Sequence, residues 1–191
     1  MNIPSKHQCY RFFDEMDMLE HIVAHSEQVC RVALCISSHL SACDIRLNDD
    51  LIYTSAMLHD ITKTRSFETK ENHAETGGHY LAQRGYPEVG NIVAQHVKLD
   101  YYFAFPDPSE AEIVNYADKR VLHDEIAPLA KRMGYILEKY GQDSQRKDQI
   151  MWLWEKSIDL ETRIFRYLPF APDQLEEAVE TPSSFHADAP P

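Results

Sequence analysis

Five residues in this chain stand where an apolar side chain would serve the core better. His25 follows Ile22 by three positions and precedes Val29 by four, and His96 follows Ile92 by four and precedes Leu99 by three. Asp118 falls among Val114, Ala117, Val121 and Leu122. Each shares the stripe that an amphipathic helix turns toward the interior. His59 and Asp60 follow the run Ser55-Ala56-Met57-Leu58, which sets an imidazole beside a carboxylate at the end of a core helix. A buried carboxylate without a partner costs several kcal/mol or is forced to protonate, so Asp60 and Asp118 need a cation or strong donors. Taken singly, each histidine also fits a hydrogen-bonded core role. Taken together, the five point to bound metal. Mixed nitrogen and oxygen donors suit iron, manganese, zinc, cobalt or nickel, whereas calcium and magnesium favour oxygen alone. One or two divalent transition metal ions are therefore the expected cofactor.

Basic residues nearby extend that chemistry. Lys63 lies three residues after Asp60, and Arg65 two further on. A lysine meets a phosphate as a point charge and an arginine as a planar fork of donors. Both are candidate substrate-binding residues, with Asp60 and Lys63 the candidate catalytic pair; the alternative is a solvated loop. Glu75 and Lys119 are open between supporting the ligands and lying on the surface. His21 and His25 form an H-x-x-x-H pair, but Ile22 stands where a zinc protease needs its glutamate. The Glu-x-x-His pairs of a carboxylate-bridged diiron oxidase do not occur. His7, His39, His79, His123 and His186 have no partner at readable spacing and read as surface or loop residues.

The elements that must position these groups read as helices. Apolar spacing of three and four predicts a helix from Met18 to about Leu40 and another from about Asp49 to His59. After a polar loop, Glu71 to Arg84 reads as a helix stopped by Gly85, and Pro87 starts the next, running to about Leu99. Gly77 and Gly78 inside that pattern cost about 1 kcal/mol each relative to alanine, so close helix packing is expected to require them. Ser109-Glu110-Ala111-Glu112 is a capping-box pattern for a helix continuing past Leu122, with another from about Ile126 to Tyr140. No stretch alternates in the manner of a strand. Residues 1–168 are expected to form one all-α domain, with a metal-site core over about 18–140 and an additional C-terminal helix over about 143–168. Residues 169–191 hold half of the ten prolines, several acids and no Lys or Arg, and read as a loosely held tail.

Composition narrows the partners. A length of 191 residues allows one domain with a substantial core, and a net charge of -12 disfavours a nucleic-acid duplex as partner. The most apolar stretch, Ile52 to Leu58, is too short to cross a bilayer, and the N-terminus lacks a basic segment followed by an apolar run. The chain is expected to be soluble and cytoplasmic. Cys9, Cys30, Cys35 and Cys43 include no C-x-x-C pair and read as reduced thiols. Trp152, Trp154 and Tyr167 accompany aliphatic residues at helical spacing and read as core or as a homodimer face.

The order His25, His59-Asp60, Asp118 resembles the H…HD…D signature of the HD-domain superfamily, over roughly Met18 to Tyr140. The stretches Ser55 to Lys63, Asn72 to Gly77, Gly85-Tyr86-Pro87 and Tyr116 to Lys119 resemble its HDIG-type phosphohydrolase branch. Thr62 stands where that branch has glycine, which implies a less permissive turn after the doublet. The resemblance is closest to the bacterial HD hydrolases that split dinucleoside tetraphosphates symmetrically. It implies an HD-type helical bundle of about six to eight helices and a metal-dependent phosphohydrolase. By that likeness His25, His59, Asp60 and Asp118 hold one metal, and Asp60, His73 and His96 a second. A metal-activated water would then attack a phosphate ester or anhydride of a small phosphorylated substrate, a nucleotide, with no side-chain nucleophile. The alternatives are a regulatory HD module that binds nucleotide and metal without turnover, and a diiron oxygenase on an HD-like scaffold.

Overall fold

Helix starts in this chain are set by side chains that satisfy free backbone N–H groups. A computed structural model describes residues 1–181. Ser5 and Gln8 form a capping box on α1 (Lys6–Glu15), and Ser109 and Glu112 form another on α7 (Glu110–Lys119). Asn48 caps α3 (Asp49–Leu58), Asn72 caps α5 (His73–Gln83) and Asp143 caps α9 (Ser144–Phe165). Pro87 begins α6 (Pro87–Ala94), where its missing N–H costs nothing. The remaining α-helices are α2 (Glu20–Ser41), α4 (Lys63–Thr69), α8 (Leu129–Tyr140) and α10 (Leu175–Glu180). The fold is all-α. Among the described residues, eight helices are eight residues or longer, and only α4 and α10 are shorter.

The spine of the core is α2, whose Val29, Val32, Ala33, Ile36 and Leu40 are fully buried against α3, α7 and α10. From α3, Ile52, Ala56 and Leu58 face that spine, and from α7, Ile113, Val114 and Ala117. Helices α5 and α6 form a tight antiparallel pair. Gly78 and Gly90 face each other there: a Cβ on Gly78 would come within 2.6 Å of the Gly90 carbonyl oxygen and 2.8 Å of Ala94 Cβ. The glycines therefore serve packing, as their helical context predicts. The turn between the two helices is a Schellman motif. Gly85 takes φ +88°, its N–H donates to Ala82 O, and the Tyr86 N–H donates to Leu81 O.

The structure departs from the sequence reading at five places. The polar loop after His59-Asp60 contains α4, which buries none of its residues and so shows no apolar period. Helix α6 ends at Ala94, before His96 rather than beyond it. Helix α7 stops at Lys119, and Val121–Leu122 pairs antiparallel with Glu125–Ile126 as a two-stranded hairpin, β1 and β2. Helix α1, ahead of the first expected helix, packs Cys9, Phe12 and Phe13 into the core. Within the expected tail, a short 3-10 turn (Pro172–Gln174) leads into α10, whose Leu175 is fully buried. Residues 182–191, including His186, lie outside the described residues. All four cysteines are free thiols, and burial pushes Cys30 up to about 12. No helix among the described residues is long and apolar enough to cross a membrane.

The Gly78–Gly90 contact makes a paired prediction. Gly78→Ala is expected to destabilise the fold by about 1–3 kcal/mol through overpacking. Gly134→Ala, where an added Cβ meets nothing within 4 Å, is expected to stabilise it by up to about 1 kcal/mol through helix propensity. Thermal melts of the two variants should move in opposite directions; a matching rise in both would contradict the close helix contact.

Candidate metal centre

Three of the four histidines of the cluster, His25, His59 and His96, are aimed by a hydrogen bond from Nδ1. His59, directly after α3, donates from Nδ1 to the Ala56 carbonyl at 2.7 Å. His96, in the turn after α6, donates to the Val93 carbonyl at 2.7 Å. His25, on α2, donates to the His123 carbonyl at 2.6 Å. His123 sits at the tip of the β1–β2 hairpin with φ +59°, and that left-handed turn points its carbonyl at His25. With Nδ1 spent on a carbonyl, each ring presents Nε2 to the interior.

The Nε2 atoms meet the two carboxylates in a row. At one end, Asp118 Oδ1 lies 3.1 Å from His25 Nε2 and 3.6 Å from His59 Nε2. His59 Nε2 is also 3.6 Å from Asp60 Oδ2, so the fully buried His59 stands at the middle. At the other end, Asp60 Oδ1 lies 3.1 Å from His73 Nε2 and 3.5 Å from His96 Nε2. His73 and His96 approach to 3.2 Å through their Nε2 atoms. Two groups, His25-His59-Asp118 and His59-Asp60-His96, each bring three possible ligand atoms within 4.8 Å of one another.

Electrostatics makes acceptors of His59 Nε2 and of the two carboxylates. Burial drives His59 down to about 4, so its ring is neutral near pH 7 and Nε2 carries a lone pair. Burial also lowers His73, against the opposing pull of Asp60. For Asp60 burial favours protonation, but the adjoining His59 ring, the Lys63 ammonium and hydrogen bonding from His73 and His96 outweigh it and hold the carboxyl well below the usual carboxylate range. Burial acts the same way on Asp118, where the His25 hydrogen bond and the Arg132 guanidinium prevail. For His25 burial is the largest influence and opposes the charge, yet the hydrogen bond and charge of Asp118 raise it overall. His59 Nε2 and Asp60 Oδ1 are buried with no hydrogen-bond partner. Unpaired lone pairs facing one another in the interior are costly, and a divalent cation is the ligand that satisfies nitrogen and carboxylate donors together. The residues present fit a transition metal.

Neighbouring residues fix this arrangement. Thr62 takes φ −104°, which needs no glycine, and its Oγ1 donates to the His73 carbonyl at 2.8 Å. The residue that departs from the resembled motif thus ties the doublet's turn to the start of α5. The His96 turn is held by Asn115, whose Nδ2 donates to the Gln95 and His96 carbonyls at 3.0 and 2.9 Å. Lys119 is buried and donates to His96 O, Asn115 O and Asn115 Oδ1, with burial lowering it to about 8. That resolves its alternatives in favour of support, while Glu75 lies on the surface.

Of the expected residues, the structure brings together His25, His59, Asp60, His73, His96, Asp118 and Lys63. Lys63 Nζ donates to His73 Nε2 at 3.1 Å and stands 3.5 Å from Asp60 Oδ1. Arg65 is not brought in. Its Nε donates to Glu71 Oε1 at 2.7 Å on an exposed face of α4, because the intervening turn carries Glu71 back beside it. Sequence reasoning missed Arg132 on α8, whose Nη2 lies 3.7 Å from Asp118 Oδ1; an arginine on an amphipathic helix gives no signal of facing inward.

A family model described as HD domain matches residues 22–121, a span that contains every histidine and carboxylate of the row. The chain belongs to the HD domain family. Comparison with curated proteins and with solved structures found no match. HD domain proteins are mostly metal-dependent hydrolases that bind divalent metals, in keeping with the acceptor-lined row. The matched HD domain span ends at β1, so α8, α9 and α10 lie beyond it.

Calorimetric titration of manganese into metal-free protein checks this geometry. His59→Ala is expected to weaken binding by more than about 100-fold, because it removes the nitrogen common to both groups. His123→Asn is expected to stay within about threefold of the parent, since the backbone carbonyl and not the side chain orients His25. Unchanged affinity in His59→Ala would contradict the site.

Proposed function

We propose that this chain is a metal-dependent phosphohydrolase that cleaves a phosphate ester or anhydride of a nucleotide. The observation that carries the reading is the convergence of neutral His59 Nε2 with two ionised carboxylates, with His59 Nε2 and Asp60 Oδ1 buried without a hydrogen-bond partner. In this reading His25, His59, Asp60 and Asp118 hold one divalent ion, and Asp60, His73 and His96 hold a second. Asp60 joins the two sets, one oxygen facing His59 and the other facing His73 and His96. When bound, such ions supply Lewis-acid chemistry, lowering the pKa of water toward neutrality and drawing charge from phosphoryl oxygens.

The chain's own groups supply the rest. Lys63, partly open to solvent at the His73 end, offers an ammonium to a substrate phosphate oxygen. The hairpin and the Asn115-Lys119 pair keep the Nε2 atoms in place while substrate enters and leaves. Conformity of Ser55 to Lys63 with the HDIG-type pattern, with Thr62 accommodated at ordinary φ, supports placement in that branch. It also makes dinucleoside tetraphosphates the first substrates to try.

The test is turnover of a nucleotide panel that includes dinucleoside tetraphosphates, with manganese, or with ferrous iron under anaerobic conditions. Release of phosphate or nucleotide is expected from the parent protein and is expected to vanish in Asp60→Ala together with bound metal. Lys63→Ala is expected chiefly to raise KM, by about tenfold or more, because it removes a binding charge. Retention of metal with no turnover of any panel member would overturn the proposal in favour of a regulatory module. Oxygen consumption in place of hydrolysis would favour an oxygenase.

A further inference from the structure

The side chain at the Asp118 end of the row that most lacks partners is Arg132. Its side chain is 17% exposed, its Nε is buried without a hydrogen-bond partner, and its one charge contact is Nη2 to Asp118 Oδ1 at 3.7 Å. Arg120, which is buried, and Arg163, which is half-buried, are better supplied. Arg120 donates to Ala127 O, Tyr116 Oη, Glu161 and Pro172 O. Arg163 donates to Glu112 and to the Phe105 and Asp107 carbonyls. A guanidinium carries five N–H donors in a fork shaped for a carboxylate or phosphate, and leaving the buried Nε–H unmade is costly. Asp118 is poorly placed to satisfy that fork, because a single approach of 3.7 Å is longer than a charged hydrogen bond and is not bidentate.

The backbone delivers Arg132 to this place firmly. It lies in the first turn of α8, beside Leu129 and Met133, which are buried at 5% and 2% exposure. Tyr135, one turn further, stacks edge-on against His123 at 5.5 Å between ring centroids, which joins α8 to the hairpin that orients His25. Lys63 and Arg132 therefore stand at opposite ends of the row, one beside Asp60 and His73, the other beside Asp118 and His25.

We propose that Arg132 is a substrate-binding residue whose guanidinium receives phosphoryl oxygens at the end of the row opposite Lys63. The inference deepens the phosphohydrolase reading and rests on it for the nature of the anion. Once Asp118 gives its oxygen to a metal, its charge is committed, and the orphaned fork is left for an anion that bridges the two ends.

The probe is methylenediphosphonate, which cannot be hydrolysed at its bridge, titrated calorimetrically into protein held at saturating manganese. Manganese affinity is measured separately on each variant. Arg132→Gln is expected to weaken diphosphonate binding by about tenfold or more, and Arg132→Lys by less, because lysine keeps the charge and loses the fork. Thermal melts are expected to show both folded, and each titration is run at manganese saturating for that variant, so that any change in manganese affinity is separated from the loss of diphosphonate binding. Should the parent fail to bind the probe, or Arg132→Gln bind it as the parent does, the proposal is overturned. The same holds if only manganese affinity falls, since Arg132 then serves to hold Asp118. Absence of turnover on every phosphate compound would count against the hydrolase reading alone, and the diphosphonate titration would still decide Arg132.

Discussion

Three backbone carbonyls, those of Ala56, Val93 and His123, each accept the Nδ1–H of an imidazole and so turn its Nε2 toward two buried aspartates. The interior of this bundle is organised around the consequence. Acceptors collect where the core would otherwise be apolar, and a bound cation would relieve their mutual repulsion. Helix α2 carries His25 because it is the spine, α3 ends where His59 and Asp60 are needed, and the α5–α6 pair, locked at Gly78 and Gly90, sets His73 against His96. The hairpin after α7 is small, yet the His123 carbonyl that aims His25 comes from its tip.

Much of this was legible in the residues. His25 and Asp118 betray themselves by standing on apolar stripes, and His59-Asp60 by closing an apolar run, since the price of a buried charge makes such positions rare without a purpose. What the periodicity could not show were pieces too short or too polar to carry a period. Helix α4 buries nothing, and the two-residue strands of the hairpin offer no alternation. The apolar spacing predicts a longer α6 because Leu99 extends its pattern. The chain leaves the helix at Gln95, where the backbone N–H and the ring of His96 both donate to the Val93 carbonyl. The acidic, proline-containing composition after Leu168 concealed Leu175, the one buried residue of that stretch among the described residues.

The supporting residues were harder still. Asn115 and Lys119 are one helical turn apart on α7, and only the path of the His96 turn reveals that both serve it. Arg65, close to the doublet in sequence, pairs outward with Glu71, whereas Arg132, far from it, faces Asp118. Proximity along the chain is a poor guide when helices return to the same centre from opposite directions.

The central claim is that the row from Asp118 to His96 is a metal centre, and anomalous diffraction from a crystal grown with manganese tests it most directly. The account predicts anomalous density within coordination distance of His25, His59, Asp60 and Asp118, with a second peak beside Asp60, His73 and His96. A map with no peak at His59 Nε2, from protein shown to be folded and exposed to the ion, would contradict it.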